Sequence, residues 1–271
     1  IQWSQIERAT GWINAGGTPD YSNELGFNVG FGIQPLSGLG QGGLFTYKKS
    51  STESNIREYM GIRLTERLKK GNKYRLQFYF TNGLNSIQNL ITTNNLGAYF
   101  SIEPIIQFGT SPILLTPQVE CAEMVESFYD WTELSFVFTA QDTFKYVTFG
   151  NFNDDSNTLV SHPTLESMAY YFFDQVELTE MNYSICLGES ITLEHFSRDS
   201  IFAWAKADAP SVIISNQKTL TVSPEMNTTY VLFTDGDTIE FPVIVDLPMV
   251  NSLSLTESFC FNKPILLNAQ S

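Results

Sequence analysis

Apolar residues in this chain fall again and again on every second position of short segments. Tyr74, Leu76, Phe78 and Phe80 form one such row; Leu96, Ala98, Phe100 and Ile102 a second; Leu134, Phe136 and Phe138 a third. A period of two is the signature of a strand with one buried face. The stretches between the rows are turn-formers, as in Lys70-Gly71-Asn72 and the glycine-rich run 26–43. Helical periodicity is almost absent, with one weak helix candidate around Pro117–Phe128. Many short strands with Gly- and Pro-rich turns predict an all-β sandwich. The 21 Phe and 12 Tyr suit that reading, since aromatic residues favour strands.

Met168–Leu178 reads as the closing strand of a first domain. Strict alternation places Phe172, Asp174, Val176 and Leu178 on one face and Phe173, Gln175 and Glu177 on the other, so a carboxylate stands in an apolar row. Ile56–Leu64 repeats the feature, with Glu58 beside Met60, Ile62 and Leu64. After residue 180 the alternation ends and a new unit starts with Tyr183 and Cys186-Leu187-Gly188. Its short strands are expected near Phe202–Ala205, Thr219–Val222, Thr229–Thr234 and Ile239–Val245, as in an immunoglobulin-like sandwich. Ser258–Leu267 echoes the start of that unit, which suggests a repeat. The expected domains are therefore 1–180, 181–248 and the beginning of a further repeat over 249–271. The chain is expected to be a fragment of something longer. Ile1 in place of Met suggests a mature form or a boundary.

Composition narrows the function. A net charge of −14 repels phosphate backbones, which argues against nucleic acid. No apolar run is long enough for a membrane span. Cys121, Cys186 and Cys260 make no metal pattern, and no disulfide is expected among them. His162 and His195 read as surface residues, and no nucleophile elbow, phosphate loop or zinc spacing is present. Glu58 and Asp174 could be offered as a glycosidase pair. Buried acids held by backbone donors, an Arg or a cation explain them better, so the chain reads as not an enzyme.

Aromatics that could stack on sugar rings are Tyr21, Tyr47, Tyr59 and Trp131, each with strand packing as the competing explanation. Arg57, Tyr59 and Arg63 share one strand face and form the best candidate cluster, with paired donors beside an aromatic. Asn151–Asn157 matches a calcium loop in composition only.

Several of these pieces together resemble a family. Gly11-Trp12, Gly17–Tyr21, Arg57-Glu58-Tyr59, Leu96–Ser101, Asp130-Trp131, Gly150-Asn151-Phe152 and Tyr170–Val176 are similar to Bacteroidota surface and secreted proteins with an N-terminal galactose-binding-like jelly roll. In that family the jelly roll, akin to a carbohydrate-binding module, precedes Ig- or PKD-like repeats. Export by the type IX secretion system and gliding motility accompany it. The resemblance implies a jelly-roll β-sandwich followed by an immunoglobulin-like β-sandwich and an extracellular, outer-membrane-associated location. It also implies a structural calcium at Asp174, although Gln175 stands where a second acid is usual. Three functions follow as expectations. The first is a non-catalytic, carbohydrate-binding surface or secreted protein with Ig-like spacers. The second is an adhesin or interaction subunit of an outer-membrane export or motility complex, binding a cell-surface protein. The third is the accessory region of a secreted hydrolase.

Overall fold

A computed structural model describes residues 5–23, 33–83, 90–181, 183–194, 201–235 and 238–246. The chain divides into two compact units, residues 1–181 and 182–271. The repeat expected from residue 249, and Cys260 with it, lie outside the described residues.

The first unit is a sandwich of two five-stranded antiparallel sheets. One has the order β1 (Trp12–Gly16), β4 (Tyr59–Arg63), β9 (Tyr146–Gly150), β6 (Leu96–Ser101), β7 (Val119–Cys121). The other has β2 (Asp20–Asn23), β3 (Gly40–Lys49), β10 (Ser167–Glu180), β5 (Lys73–Thr81), β8 (Thr132–Thr139). A single 3-10 turn, Ile6–Arg8, precedes β1. Apart from β2–β3 and β6–β7, the neighbours in each sheet are not consecutive in sequence, as in a jelly roll. The predicted rows supply the core. Tyr74, Leu76, Phe78 and Phe80 of β5 meet Leu96, Ala98 and Phe100 of β6 and Phe149 of β9 between the sheets. Phe78 touches Phe149 edge-on at 5.5 Å between centroids and Phe173 at 5.5 Å. Such aromatic pairs contribute about 0.5–1.5 kcal/mol each beyond the area they bury.

Two expectations need correction. Pro117–Phe128 is not a helix. Val119 and Cys121 pair with Ala98 and Leu96 as an edge strand, and the Gln118 amide bonds the backbone N–H and C=O of Phe100 at 2.6 and 3.1 Å. Partners far along the chain outweigh weak local propensity there. The second correction concerns β10. Asp174 lies opposite Tyr79 but Glu177 opposite Gln77, so one extra residue is inserted, and Gln175 adopts φ +47°. This bulge reverses the parity of the strand. Val176 and Leu178 therefore join Phe173 toward the sheet-to-sheet core. Phe172 packs with Tyr170 in a separate cluster with Phe45, Leu90 and Trp131. Asp174 does not share a face with Val176 and Leu178.

The second unit is the expected immunoglobulin-like sandwich. One sheet runs β11 (Ser184–Cys186), β16 (Thr238–Asp246), β15 (Thr228–Phe233), β13 (Ala203–Lys206); the other pairs β12 (Ile191–Glu194) with β14 (Thr219–Val222). The first strand joins the last in parallel and the rest is antiparallel. Trp204 is fully buried against Phe241 and donates its indole N–H to the Gln217 carbonyl at 2.9 Å. Cys186 is disulfide-bonded. The expectation that no disulfide forms within the chain is corrected accordingly. Among the described residues no helix is long and apolar enough to cross a membrane.

Candidate functional site

The stretch 56–64 was the strongest candidate in the sequence, and the structure divides it. Arg57 and Tyr59 are both fully buried. The Arg57 guanidinium pairs with Asp155 at 2.9 Å and donates to the carbonyls of Ile56 and Asn153 and to the Thr158 hydroxyl. It also lies 5.1 Å from the centre of the Tyr47 ring, itself buried. Tyr59 donates its hydroxyl to the Asn151 carbonyl at 2.7 Å and accepts the Ile113 N–H at 2.9 Å. Burial pushes its phenol up to about 12. Arg57, Tyr59 and Tyr47 are thus internal groups, and the polar atoms of Arg57 and Tyr59 are engaged by the protein itself rather than presented to a ligand. The cause is a cover that strand alternation does not encode. The segment between β6 and β7 returns across β1 and β4, where Gln107 N–H bonds Ala15 O, Gly17 N–H bonds Gly109 O and Arg57 N–H bonds Thr110 O. It seats Ile105 and Ile113 against Tyr59 and Phe152. The loop 151–157 is closed in the same way. Asp154 accepts from Ser156 and Asn157, hydrogen bonds that hold its carboxyl below the usual range, while Asp155 serves Arg57.

Glu58 is also enclosed, 3% exposed. Its carboxylate takes the Thr18 N–H at 3.2 Å, the Thr18 hydroxyl at 2.5 Å and the Phe45 N–H at 2.9 Å. Burial nonetheless raises its pKa, with nearby Asp20 adding to the rise and the hydrogen bonds opposing it. Asp174 is half-buried; it accepts Ser37 N–H at 3.0 Å, Ser37 hydroxyl at 3.4 Å and Gln175 N–H at 2.7 Å. Both acids are therefore held by donors, as buried carboxylates must be. Hydrogen donors face both Asp174 oxygens, and among the described residues no group of three or more His, Cys, Asp or Glu is placed to hold a metal ion.

An accessible cleft of about 540 Å3 lies in the first unit where its two sheets part. Its apolar base is the end of the core: Ile6, Leu68, Leu76 and Phe173. Half-exposed Trp12 and Tyr21 line it from opposite sheets, with Ile62, Leu64, Val176 and Leu178 between. The β10 bulge turns Val176 and Leu178 toward it. The Tyr21 ring lies directly on Gly40, where any side chain would collide with it. Arg63, Thr65, Glu66 and Arg67 are exposed at the mouth, and Glu180 is engaged there by Lys69 at 3.1 Å and Asn72 at 2.6 Å. Of the sequence candidates, Tyr21 and Arg63 reach this cleft; Arg57, Tyr59 and Tyr47 do not. Trp131 is half-exposed elsewhere and donates its indole N–H to Gln34 O at 3.1 Å. Trp12 and Arg67 were missed, although the Gly11-Trp12 pair had been visible in the sequence.

No family model matches the chain, and no curated protein matches it. Solved structures similar to it include the K1 cleaved adhesin domain of Lys-gingipain from Porphyromonas gingivalis W83, at 18% identity and TM-score 0.36, over 63% of this chain and 90% of that one. Another is the CBM22-1 xylan-binding domain of Paenibacillus barcinonensis Xyn10C, at 13% identity and TM-score 0.37, over 64% of this chain and 86% of that one. A third is the mannan-recognising carbohydrate-binding module TmCBM27, at 15% identity and TM-score 0.28, over 66% of this chain and 93% of that one. The fold assignment rests on the two sheets of each unit.

Proposed function

We propose that the first unit is a non-catalytic glycan-binding module, with its ligand in the cleft between the sheets and the second unit as a spacer. The protein would work outside the cell, on the surface or secreted. One observation carries this reading. The cleft joins two accessible aromatics, Trp12 and Tyr21, to an exposed Arg63 over an apolar base. An aromatic face removes water from the C–H side of a sugar ring, and a guanidinium supplies paired donors to its hydroxyls. The volume lies in the range of small-ligand sites, about 300–1,000 Å3. A glycosidase needs two carboxylates across the ligand. Glu58 is instead enclosed by Thr18 and Phe45, and Asp174 is tied to Ser37.

The test is a panel of soluble plant, microbial and host polysaccharides on the whole chain, followed by titration of any hit against Tyr21→Ala and Arg63→Gln. Both variants should lose at least about tenfold in affinity, the loss of one good contact. Unchanged affinity in both would remove the ligand from this cleft.

A further inference from the structure

We propose that Glu58 is a positioning residue of the cleft: its side chain braces the crossover from β1 to β2 and so fixes the separation of the two aromatic walls, Trp12 and Tyr21. The ligand it serves is the glycan proposed above, and the inference rests on that reading. Trp12 opens β1 and Tyr21 lies in β2, and these strands stand at the ends of different sheets. An end strand is paired on one side only, here β1 to β4 and β2 to β3. Pairing within each sheet leaves the gap between the walls open. What holds the crossover, Gly17-Thr18-Pro19, therefore bears on that gap.

Glu58 has the reach to hold it. It immediately precedes β4, and its backbone N–H bonds the Phe45 carbonyl of β3 at 2.9 Å. One carboxylate oxygen takes the Thr18 N–H at 3.2 Å and the Thr18 hydroxyl at 2.5 Å; the other takes the Phe45 N–H at 2.9 Å. One side chain thus joins the entry to one sheet, a strand of the other and the turn between them. The turn also lies directly on it. Gly17 adopts φ +73°, and a Cβ there would stand 2.8 Å from Glu58 Cγ, so this close approach needs glycine. The crossover's other bonds run elsewhere. The Asn14 amide donates to Gly17 O at 3.0 Å, Gly17 N–H to Gly109 O at 2.8 Å, and Ile6 N–H to Pro19 O at 3.3 Å. The Glu58 carboxylate carries the turn to β3, the strand on which β2 is paired. At 3% exposure Glu58 touches no ligand. Walls held at their separation beforehand lose little freedom on binding, and that is how the brace adds affinity.

The experiment uses the whole chain labelled with fluorotryptophan and fluorotyrosine. The fluorine lines of Trp12 and Tyr21 are assigned with Trp12→Phe and Tyr21→Phe, and the panel polysaccharide that wild type binds best is then titrated. All variants are compared at a temperature where each is fully folded. In Glu58→Ala the Trp12 and Tyr21 lines should shift or broaden while those of Trp131 and Trp204 stay, and affinity should fall at least about tenfold. Thr18→Val, a milder change that keeps the Phe45 bond, should move the same two lines and cost about threefold. Glu58→Gln keeps an oxygen for Thr18 and should restore both lines. Arg57→Ala removes buried bonds without touching the crossover and should leave both lines in place, which separates positioning from lost stability. Unmoved Trp12 and Tyr21 lines in both Glu58→Ala and Thr18→Val would overturn the proposal, as would an equal shift of all four lines. Lines that move with full affinity retained would uphold the brace and overturn the glycan cleft instead.

Discussion

Arg57 and Arg63 stand on one short stretch of chain and on the same phase of its alternation, yet they do opposite work. Arg57 is sealed under the β6–β7 loop and spends its donors on Asp155, Asn153, Ile56 and Thr158. Arg63 is exposed at the mouth of the cleft. The alternation fixes which face of a strand a residue occupies. It does not fix whether something later in the chain covers that face. The covered half of the stretch carries stability and the open half, on the proposed function, would carry recognition, so substitutions should separate the two.

The largest effect is expected at the covered end. Arg57→Ala leaves Asp155 and the surrounding carbonyls without their donor and should cost about 3–5 kcal/mol, as breaking a buried ion pair does. Urea denaturation of the first unit measures this. A cost below about 1 kcal/mol would mean that the 151–158 loop holds itself. By the same logic Tyr59→Ala should also destabilise the first unit, since the Asn151 carbonyl and the Ile113 N–H lose their partner.

Asp174→Ala should come next, at about 1–3 kcal/mol, since the N–H groups of Ser37 and Gln175 lose their acceptor. Its melting point should be indifferent to calcium and to EDTA, as in wild type. A calcium-dependent shift present only in wild type would restore the metal.

Glu58 sharpens the comparison through pH. Burial raises its folded pKa above the ordinary carboxylate value. Its contribution is then full below the unfolded pKa and is lost as pH rises through the raised folded value. The margin of wild type over Glu58→Gln, of the order of 1–2 kcal/mol, should therefore narrow as pH rises from the acid side toward neutrality. A margin that widens instead would show that the donors of Thr18 and Phe45 outweigh desolvation.

Much of this fold is legible in the residues themselves. The rows in 74–80, 96–100 and 134–138 needed only their alternation to be placed inward. The second unit's strands declared themselves by short β-rich segments. Three features were not legible, for definite reasons. The bulge at Gln175 has no glycine to announce it; it exists because the pairing with β5 gains an extra residue. The cover over Tyr59 depends on hydrogen bonds between segments some fifty residues apart or more, such as Ile113 to Tyr59 and Arg57 to Thr110. The cleft forms where Trp12, Tyr21 and Arg63 converge from three strands, and no local pattern links them.

The central claim is that recognition lives in the open cleft and not in the buried network beside it. The most direct measurement is calorimetric titration of the best polysaccharide from the panel into wild type and Arg63→Gln, each with its melting point. The account predicts that Arg63→Gln keeps its stability within about 0.5 kcal/mol, as exposed substitutions do, and loses at least about tenfold in affinity. Full affinity in a stable Arg63→Gln protein would contradict it.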